Sequence, residues 1–329
     1  MISVVIPLYN KARHIQRALD SVLAQTYEDF EVIVVNDGST DGSEEVAGRY
    51  ADPRIRIVHR EHINSAGGHA ARNRGIAEAR AELIAFLDAD DEWLPAHLAT
   101  IMRLVDRHPE CGAYATAFSV ITPGGTTTDP AFAGIPDSPY EGVIPNYFRT
   151  VWGDQAVWTS AVAIPRKAFD NCGLFPEGEQ RRGDLDMWCR IALKYPIAFS
   201  TDASAVYHRE AENRVRDGSP VVSEPRIVRT LENALATGEF PGNVARADLR
   251  EYMGMQLVSR AQSIVHHGYL REAHELLRKA AATGVYRGTF RRWVLLSYLP
   301  LPLMRFGLSV VRLLDVVCSG ADRAMRRRG

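Results

Sequence analysis

The sequence predicts an α/β fold, a mostly parallel sheet flanked by helices, followed by a helical C-terminal extension. Three observations predict it. Short, β-branched apolar runs alternate with stretches of helical periodicity up to about residue 210. Two of those runs, "FEVIVVND" (30–37) and "LIAFLD" (83–88), end in a carboxylate. From about residue 225 the alternation gives way to helical patterns alone. Alternation of this kind builds βαβ units, in which parallel strands are joined by crossover helices.

The elements follow in order. "SVVIPL" (3–8) is a fully apolar, β-branched run and reads as a buried strand. Ile15, Leu19 and Val22 lie at helical spacing in 12–25. The strand 30–37 stops at "DGSTDGS", a dense turn signal, and a polar helix at about 42–50 leads to the strand "RIRIVH" (54–59). A glycine loop, "SAGGHA" (65–70), opens a helix over 70–80; a strand at 83–87 and a helix at 95–107 come next. "GAYATAFSVI" (112–121) and "WTSAVAIP" (158–165) are further strands, separated by a loop-rich stretch with the composition of a lid. "DLDMWCRIALKY" (184–195) is a helix with Asp184 as its N-cap, and "IAFS" (197–200) a strand leading to "AVYHREAENR" (205–214). The stretch 268–284 has the look of a single helical hairpin of the tetratricopeptide type.

Composition narrows the setting. With 329 residues, 46% of them hydrophobic, the chain is long enough for one large domain or two ordinary ones. Its formal net charge of −1 hides an asymmetry: from Arg287 onward there are nine Arg, no Lys and two Asp, against 30 basic and 38 acidic residues before. A basic tail implies an anionic surface such as phospholipid head groups or nucleic acid. Cys111, Cys172, Cys189 and Cys318 show neither CxxC pairing nor zinc-type His spacing, so free thiols in a reducing compartment are expected. "MISVVIPLYN" lacks the basic n-region and cleavage site of a signal peptide. The longest apolar stretch, Trp293 to Met304, contains two prolines and is too short for a membrane-spanning helix.

The chemistry centres on "FLDADDEW" (86–93). Asp88, Asp90 and Asp91 put three carboxylates within four residues, and like charges this close repel unless a cation intervenes. In an extended chain, Asp88 and Asp90 project to one side. Two such carboxylates form a hard-oxygen site suited to Mg²⁺ or Mn²⁺, shared with substrate phosphates. The implied cargo is therefore a di- or triphosphate. Asp37, at a parallel strand end, could accept hydrogen bonds from a base or ribose. In doubly wound sheets this is where ligands sit. As plain turn chemistry and helix capping, the Asp triplet would need no ligand.

Four stretches in this order, "SVVIPLYN", "QTYEDFEVIVVNDGSTDGS", "ARNRGIAEARAELIAFLDADDEWLP" and "RRGDLDMWCRIALKYP", resemble the family-2 inverting glycosyltransferases over about residues 1–210. The resemblance implies the GT-A fold, a nucleotide-binding α/β architecture with a DxD metal site. By it, Pro7 and Tyr9 line the nucleotide pocket, Asp37 contacts the base, Arg72 lies near the nucleotide, Asp88 reaches the ribose or metal, and Asp90 binds the metal. The family's base lies in a Glu-Asp pair heading a helix; here the pair is Gly183-Asp184, so Asp184 is the expected base without its preceding Glu. His208 matches a position that supplies a third metal or diphosphate ligand, and a purely structural role stands beside that reading. Trp188 could stack on a sugar or pack in the core; Arg209 could meet phosphate or water. The implied cofactor is Mn²⁺ or Mg²⁺. The implied partners are a nucleotide-sugar donor and a glycan or lipid-linked sugar acceptor, with no nucleic acid.

The domain reading is a GT-A catalytic domain over 1–215, a helical appendage over 216–286 and an amphipathic basic tail over 287–329. Trp293, Leu295, Leu296, Leu299, Leu301, Leu303, Phe306 and Leu308, mixed with Arg, give the tail the pattern of interfacial helices. The expected location is cytoplasmic and peripheral, at the inner face of a membrane; an ordinary core helix with a solvated Arg tail is the competing reading. Two other enzyme classes fit less well. A nucleotidylyltransferase would carry a Gly-rich loop where "PLYNKARH" stands, and a processive synthase would carry membrane spans and Gln-x-x-Arg-Trp where "TFRRW" stands. A non-catalytic sugar-nucleotide sensor or scaffold remains a third reading, kept open by the missing Glu.

Overall fold

The computed structural model describes residues 1–60, 68–179, 182–211, 221–284 and 288–296, together with Leu299 and Leu303. The chain divides into two compact units, Met1–Gly218 with Gly238–Val244, and Ser219–Thr237 with Ala245–Gly329.

The first unit is organised by a ten-stranded sheet. Its centre is β1 (Ile2–Leu8), which pairs in parallel with β2 (Phe30–Asn36) on one side and β4 (Leu83–Phe86) on the other. β3 (Ile55–His59) extends this parallel half beyond β2. On the far side of β4, β9 (Val162–Pro165) runs antiparallel to both β4 and β6 (Ala113–Ile121). β10 (Ile197–His208) then pairs in parallel with β6, and the short β5 (Glu92–Trp93) closes that side. The two-residue β7 (Thr127–Thr128) and three-residue β8 (Glu141–Val143) attach to β6 and β10.

β1, β2 and β4 are buried on both faces, which is why they read as largely apolar runs, whereas the edge strand β3 is only half-buried. Ile2, Val4, Ile6 and Leu8 share one face with Val32 and Val34, packed by Ile15, Leu19 and Val22 of α1 (Ile15–Leu23) and by Leu98, Ile101 and Leu104 of α4 (His97–Arg107). The opposite face of β1 is covered by α3 (His69–Glu78). That helix lies unusually close, because Gly75 faces Val5: a Cβ there would be 2.2 Å from Val5 Cγ1. Three further α-helices lie among the described residues of the unit: α2 (Ser43–Ala47), α5 (Arg166–Cys172) and α6 (Gly183–Ala192).

Several expectations are corrected. α1 begins at Ile15, because the N–H groups of His14 and Ile15 both turn back onto the Lys11 carbonyl, at 2.9 and 3.0 Å. The strand expected at 158–165 starts as a 3-10 turn, Thr159–Ala161, before β9. "IAFS" is the beginning of a twelve-residue strand that continues through a register shift between Ser200 and Ala205. Asp184 is not the N-cap of its helix; Arg182, in the left-handed region at φ 66°, holds that place, and Asp184 sits in the first turn. Trp188 is core: it is fully buried and meets Phe175 edge-on, 5.8 Å between centroids. Cys111, Cys172 and Cys189 are free and buried.

In the second unit, α7 (Arg226–Thr237) and α8 (Arg246–Val265) precede α9 (Leu270–Ala282) and α10 (Gly288–Leu295). The stretch 268–284 therefore supplies one helix, not a hairpin; its antiparallel partner is the preceding α8, across the turn at 266–268. Trp293, Val294 and Leu296 are buried, which removes Trp293 and Leu296 from the lipid-facing set, whereas Leu295 and Leu303 are exposed. Among the described residues no helix is long and apolar enough to cross a membrane. Residues 65–67 of the glycine loop, 212–214 of "AVYHREAENR" and most of the expected tail lie outside the described residues.

The close seating of α3 has a measurable consequence. Gly75→Ala should destabilise the protein by about 1–3 kcal/mol, the usual cost of forcing atoms into a packed core. Urea unfolding followed by circular dichroism measures it, and an unchanged midpoint would show that α3 is free to move off β1.

Candidate active site

The carboxyl ends of β1, β2 and β4 lie side by side, and Tyr9, Asp37, Asp88 and Asp90 lie on the loops that leave them. Pro7 is within β1, in register with Val35 of β2, and Tyr9 follows the strand with its ring 44% exposed. Asp37, just past β2, is buried; its N–H donates to the Leu8 carbonyl at 2.9 Å and its carboxylate pairs with Arg60 at the end of β3. Side chains stitch the loops together. Asn10 Oδ1 accepts the Thr40 N–H at 2.8 Å, and the Lys11 N–H donates to Ser43 Oγ at 2.8 Å. A polar cleft floor is thus fixed by hydrogen bonds rather than by apolar packing.

Each carboxylate of the "DADD" run has a different fate. Asp88 pairs with the buried Arg72 of α3, and its N–H donates to Ser160 Oγ at 3.1 Å. Asp90 meets the Lys11 ammonium at 2.8 Å through Oδ2, while its carbonyl accepts from Arg17 of α1. Asp91 turns inward. It is 1% exposed, accepts from Ser160 Oγ at 2.6 Å and from the His208 N–H at 3.2 Å, and burial, aided by the charges of Asp90 and Asp88, pushes its carboxyl well above the usual carboxylate range.

Asp184, in the first turn of α6, also feels the charge of Arg72. Burial raises its carboxyl above the ordinary value, while Arg72, the Leu185 N–H and the Gln155 side chain favour the ionised form. Arg72 therefore pairs with Asp88 and acts electrostatically on Asp184 at the same time. His208 stands differently: its Nδ1 is 2.8 Å from Glu210 and its Nε2 3.0 Å from Glu92. Among the described residues no group of three or more His, Cys, Asp or Glu side chains could hold a metal unaided. The donor set at Asp88 and Asp90 is all hard oxygen and fewer than three ligands, which fits Mg²⁺ or Mn²⁺ completed by substrate phosphates.

The profile of glycosyl transferase family 2 matches residues 3–168. The chain belongs to that family. TuaG of Bacillus subtilis, described as a putative teichuronic acid biosynthesis glycosyltransferase, is 32% identical over 218 residues, covering 65% of this chain and 81% of TuaG. YibD of Escherichia coli, an uncharacterised glycosyltransferase, is 43% identical over 105 residues, 31% of this chain and 30% of its own length. The chain thus spans about a third of the length of YibD and of several other relatives it matches. The crystal structure of Staphylococcus aureus TarS 1–349 in complex with UDP-GlcNAc superposes with a TM-score of 0.66 at 17% identity, over 94% of this chain and 87% of that one. Mannosyltransferase PcManGT from Pyrobaculum calidifontis, in complex with GDP-Man and Mn²⁺, gives 0.54 at 19% identity, over 95% and 87%. These structures share the GT-A fold of this family-2 chain.

Two further residues shape the site, and the sequence alone does not mark them. Ser160 accepts from the backbone of Asp88 and donates to Asp91, and its own carbonyl accepts the Trp93 indole N–H. It lies 69 residues from Asp91 in a turn of unremarkable composition. His69 stands where a side chain at position 183 would go. A Cβ on Gly183 would be 2.5 Å from His69 Nε2 and 2.9 Å from Pro176 Cγ. The His69 ring is buried and stacks on Phe175 at 5.9 Å; burial, with Arg72 adding, pulls its pKa down to about 3, so the imidazole is neutral. The missing Glu before Asp184 is thus matched by a ring that fills its space. The "SAGGHA" stretch hints at a tight loop but says nothing of this partner.

That steric match is testable. Gly183→Ala should lower stability by about 1–3 kcal/mol through overpacking. His69→Ala in the same chain should recover part of the loss, because the two positions compete for one space. Thermal melts of the two single variants and the pair check this, and strictly additive losses would count against it.

Proposed function

We propose that the protein is a metal-dependent inverting glycosyltransferase, moving a sugar from a nucleotide-diphosphate donor to a hydroxyl acceptor in cell-surface polysaccharide or glycolipid assembly. The observation that carries it is Arg72, which pairs with Asp88 and whose charge also acts on Asp184, so that the donor-side and base candidates share one electrostatic neighbour. The named ligands of TarS and PcManGT and the named role of TuaG support the donor class and the setting.

The residues divide the work. Tyr9 offers an exposed ring for the base to stack on, beside Asp37 and Pro7. Arg72 holds Asp88 toward the donor. Asp90, with Asp88, would hold Mg²⁺ or Mn²⁺, a Lewis acid that neutralises charge on a departing diphosphate. Asp184 takes the proton from the acceptor hydroxyl as that oxygen bonds to the anomeric carbon. The bond from that carbon to the diphosphate oxygen breaks on the opposite face, and the electron pair leaves with the nucleoside diphosphate. One displacement inverts the centre, and no enzyme nucleophile is required. His208, held between Glu92 and Glu210, would reach the metal or diphosphate only by exchanging one of those partners.

Asp184→Asn should reduce turnover by about 10²–10⁴-fold, the range of general-base catalysis, with donor affinity nearly unchanged. Because the carboxyl must be ionised to act and burial raises its pKa, activity should fall on acidification at a higher pH than for an ordinary aspartate. Nucleotide release from a panel of UDP- and GDP-sugars, measured with Mn²⁺ against pH, tests both statements. Donor binding with no turnover by the wild-type protein would favour the sensor reading instead.

The tail read over 287–329 calls for a separate proposal, narrowed to residues 300–329 because Trp293, Val294 and Leu296 are buried: this segment attaches the enzyme peripherally to an anionic bilayer at the cytoplasmic face, where a lipid-linked acceptor would be held. Its many Arg side chains would each contribute about 1 kcal/mol near such a surface. Deleting 300–329 should abolish salt-sensitive co-sedimentation with phosphatidylserine-containing vesicles, and equal sedimentation with and without the segment would end the proposal.

A further inference from the structure

The three carboxylates at the end of β4 are compensated by groups of the chain itself. Asp91 is buried against Ser160 and the His208 N–H, and Asp88 is paired with Arg72. Asp90, the residue assigned to the metal, is paired with the Lys11 ammonium at 2.8 Å. Both side chains are largely shielded from water, Lys11 at 11% and Asp90 at 15% exposure. In such a setting the attraction is stronger than between fully solvated ions. Lys11 also sits in a fixed loop: its carbonyl takes the N–H groups of His14 and Ile15, and its own N–H is held by Ser43. Its backbone is anchored while its four-carbon stem can swing.

We propose that Lys11 competes with the divalent cation for Asp90 and exchanges that carboxylate for the donor's diphosphate, making metal affinity conditional on nucleotide. This rests on the glycosyltransferase reading above. An ammonium at this range repels a second cation arriving on the same carboxylate. Metal alone must displace Lys11 and leave it without that partner. Metal arriving with a nucleoside diphosphate brings two negative phosphates, one of which gives the ammonium a new partner within reach of the same loop. Arg72 cannot do this as readily, because its guanidinium is buried and acts on both Asp88 and Asp184. The functional result is ordered assembly: the site charges with metal and donor together, and metal does not accumulate at an empty donor pocket.

The test measures Mn²⁺ binding to the full chain by the electron paramagnetic resonance signal of the free ion, with and without saturating UDP or GDP. A neighbouring cation typically changes a carboxylate's affinity for another cation by about tenfold or more. Lys11→Gln should therefore bind Mn²⁺ without nucleotide about tenfold more tightly than wild type. Lys11→Arg, which keeps the charge, should stay near wild type. Nucleotide should tighten Mn²⁺ binding in wild type much more than in Lys11→Gln. Melting curves establish that each variant is folded, and Lys11→Met serves as a second neutral variant. Equal or weaker Mn²⁺ binding by folded Lys11→Gln without nucleotide overturns the proposal, as does a tenfold gap that persists when Asp90→Asn is added to both proteins. If wild type and Lys11→Gln both ignore Mn²⁺ even with UDP or GDP, the metal-dependent reading itself fails, and this inference falls with it.

Discussion

The first unit depends on neutralising three carboxylates that the chain places within four residues. The solution draws on separate parts of the sequence: Lys11 from the segment after β1, Arg72 from α3, Ser160 from the turn before β9 and the His208 N–H from the end of β10. Each of these groups must be delivered by a folded element, so the sheet order and the site are one problem. The charges are not treated alike. Asp91 is buried and its carboxyl driven toward the neutral form, whereas Asp88 and Asp90 keep cationic partners at the cleft. Burying one member as a hydrogen-bonded anchor removes part of the repulsion that would oppose ionisation of the other two.

α3 is the second organising feature. His69, Arg72 and Asn73 lie three and four residues apart and so share one face of the helix. His69 stacks on Phe175, Asn73 bonds both the N–H and the carbonyl of Phe175, and the Arg72 guanidinium lies over the Phe175 ring, 5.9 Å from its centroid. The same helix is pressed onto β1 at Gly75. The approach to α6, where Asp184 sits, is therefore fixed relative to the central strand through a single rigid helix. Burial and Arg72 keep His69 uncharged, so it can pack beside Arg72 without adding a second positive charge.

Much of this was legible in the sequence. The apolar runs of β1, β2 and β4 follow from burial on both faces, and the carboxylates that end β2 and β4 mark the side of the sheet where the candidate site lies. What escaped is long-range or steric. The antiparallel insertion of β9 has no local signature, because a short apolar strand reads the same in either direction. Ser160 is an ordinary serine until the fold sets it against Asp88 and Asp91. The exchange of space between His69 and Gly183 is visible only when two distant segments touch. Asp184 was misread as an N-cap because Asp is a favoured capping residue, while the left-handed backbone of Arg182 moves the helix start two residues earlier. The hairpin read into 268–284 failed for another reason: the helix that covers α9 precedes the turn, so the pattern was centred on the wrong side of it.

The bond from the His208 N–H to Asp91 spans 117 residues. Contacts of such separation carry a higher loop-closure entropy than local ones. Until β10 docks along β6, Asp91 lacks this backbone donor and the acidic triplet lacks its anchor. A nascent chain released with only its first half folded would hold ordered strand ends but an unfinished acidic corner. Completion of the site is in this way tied to maturation of the whole sheet.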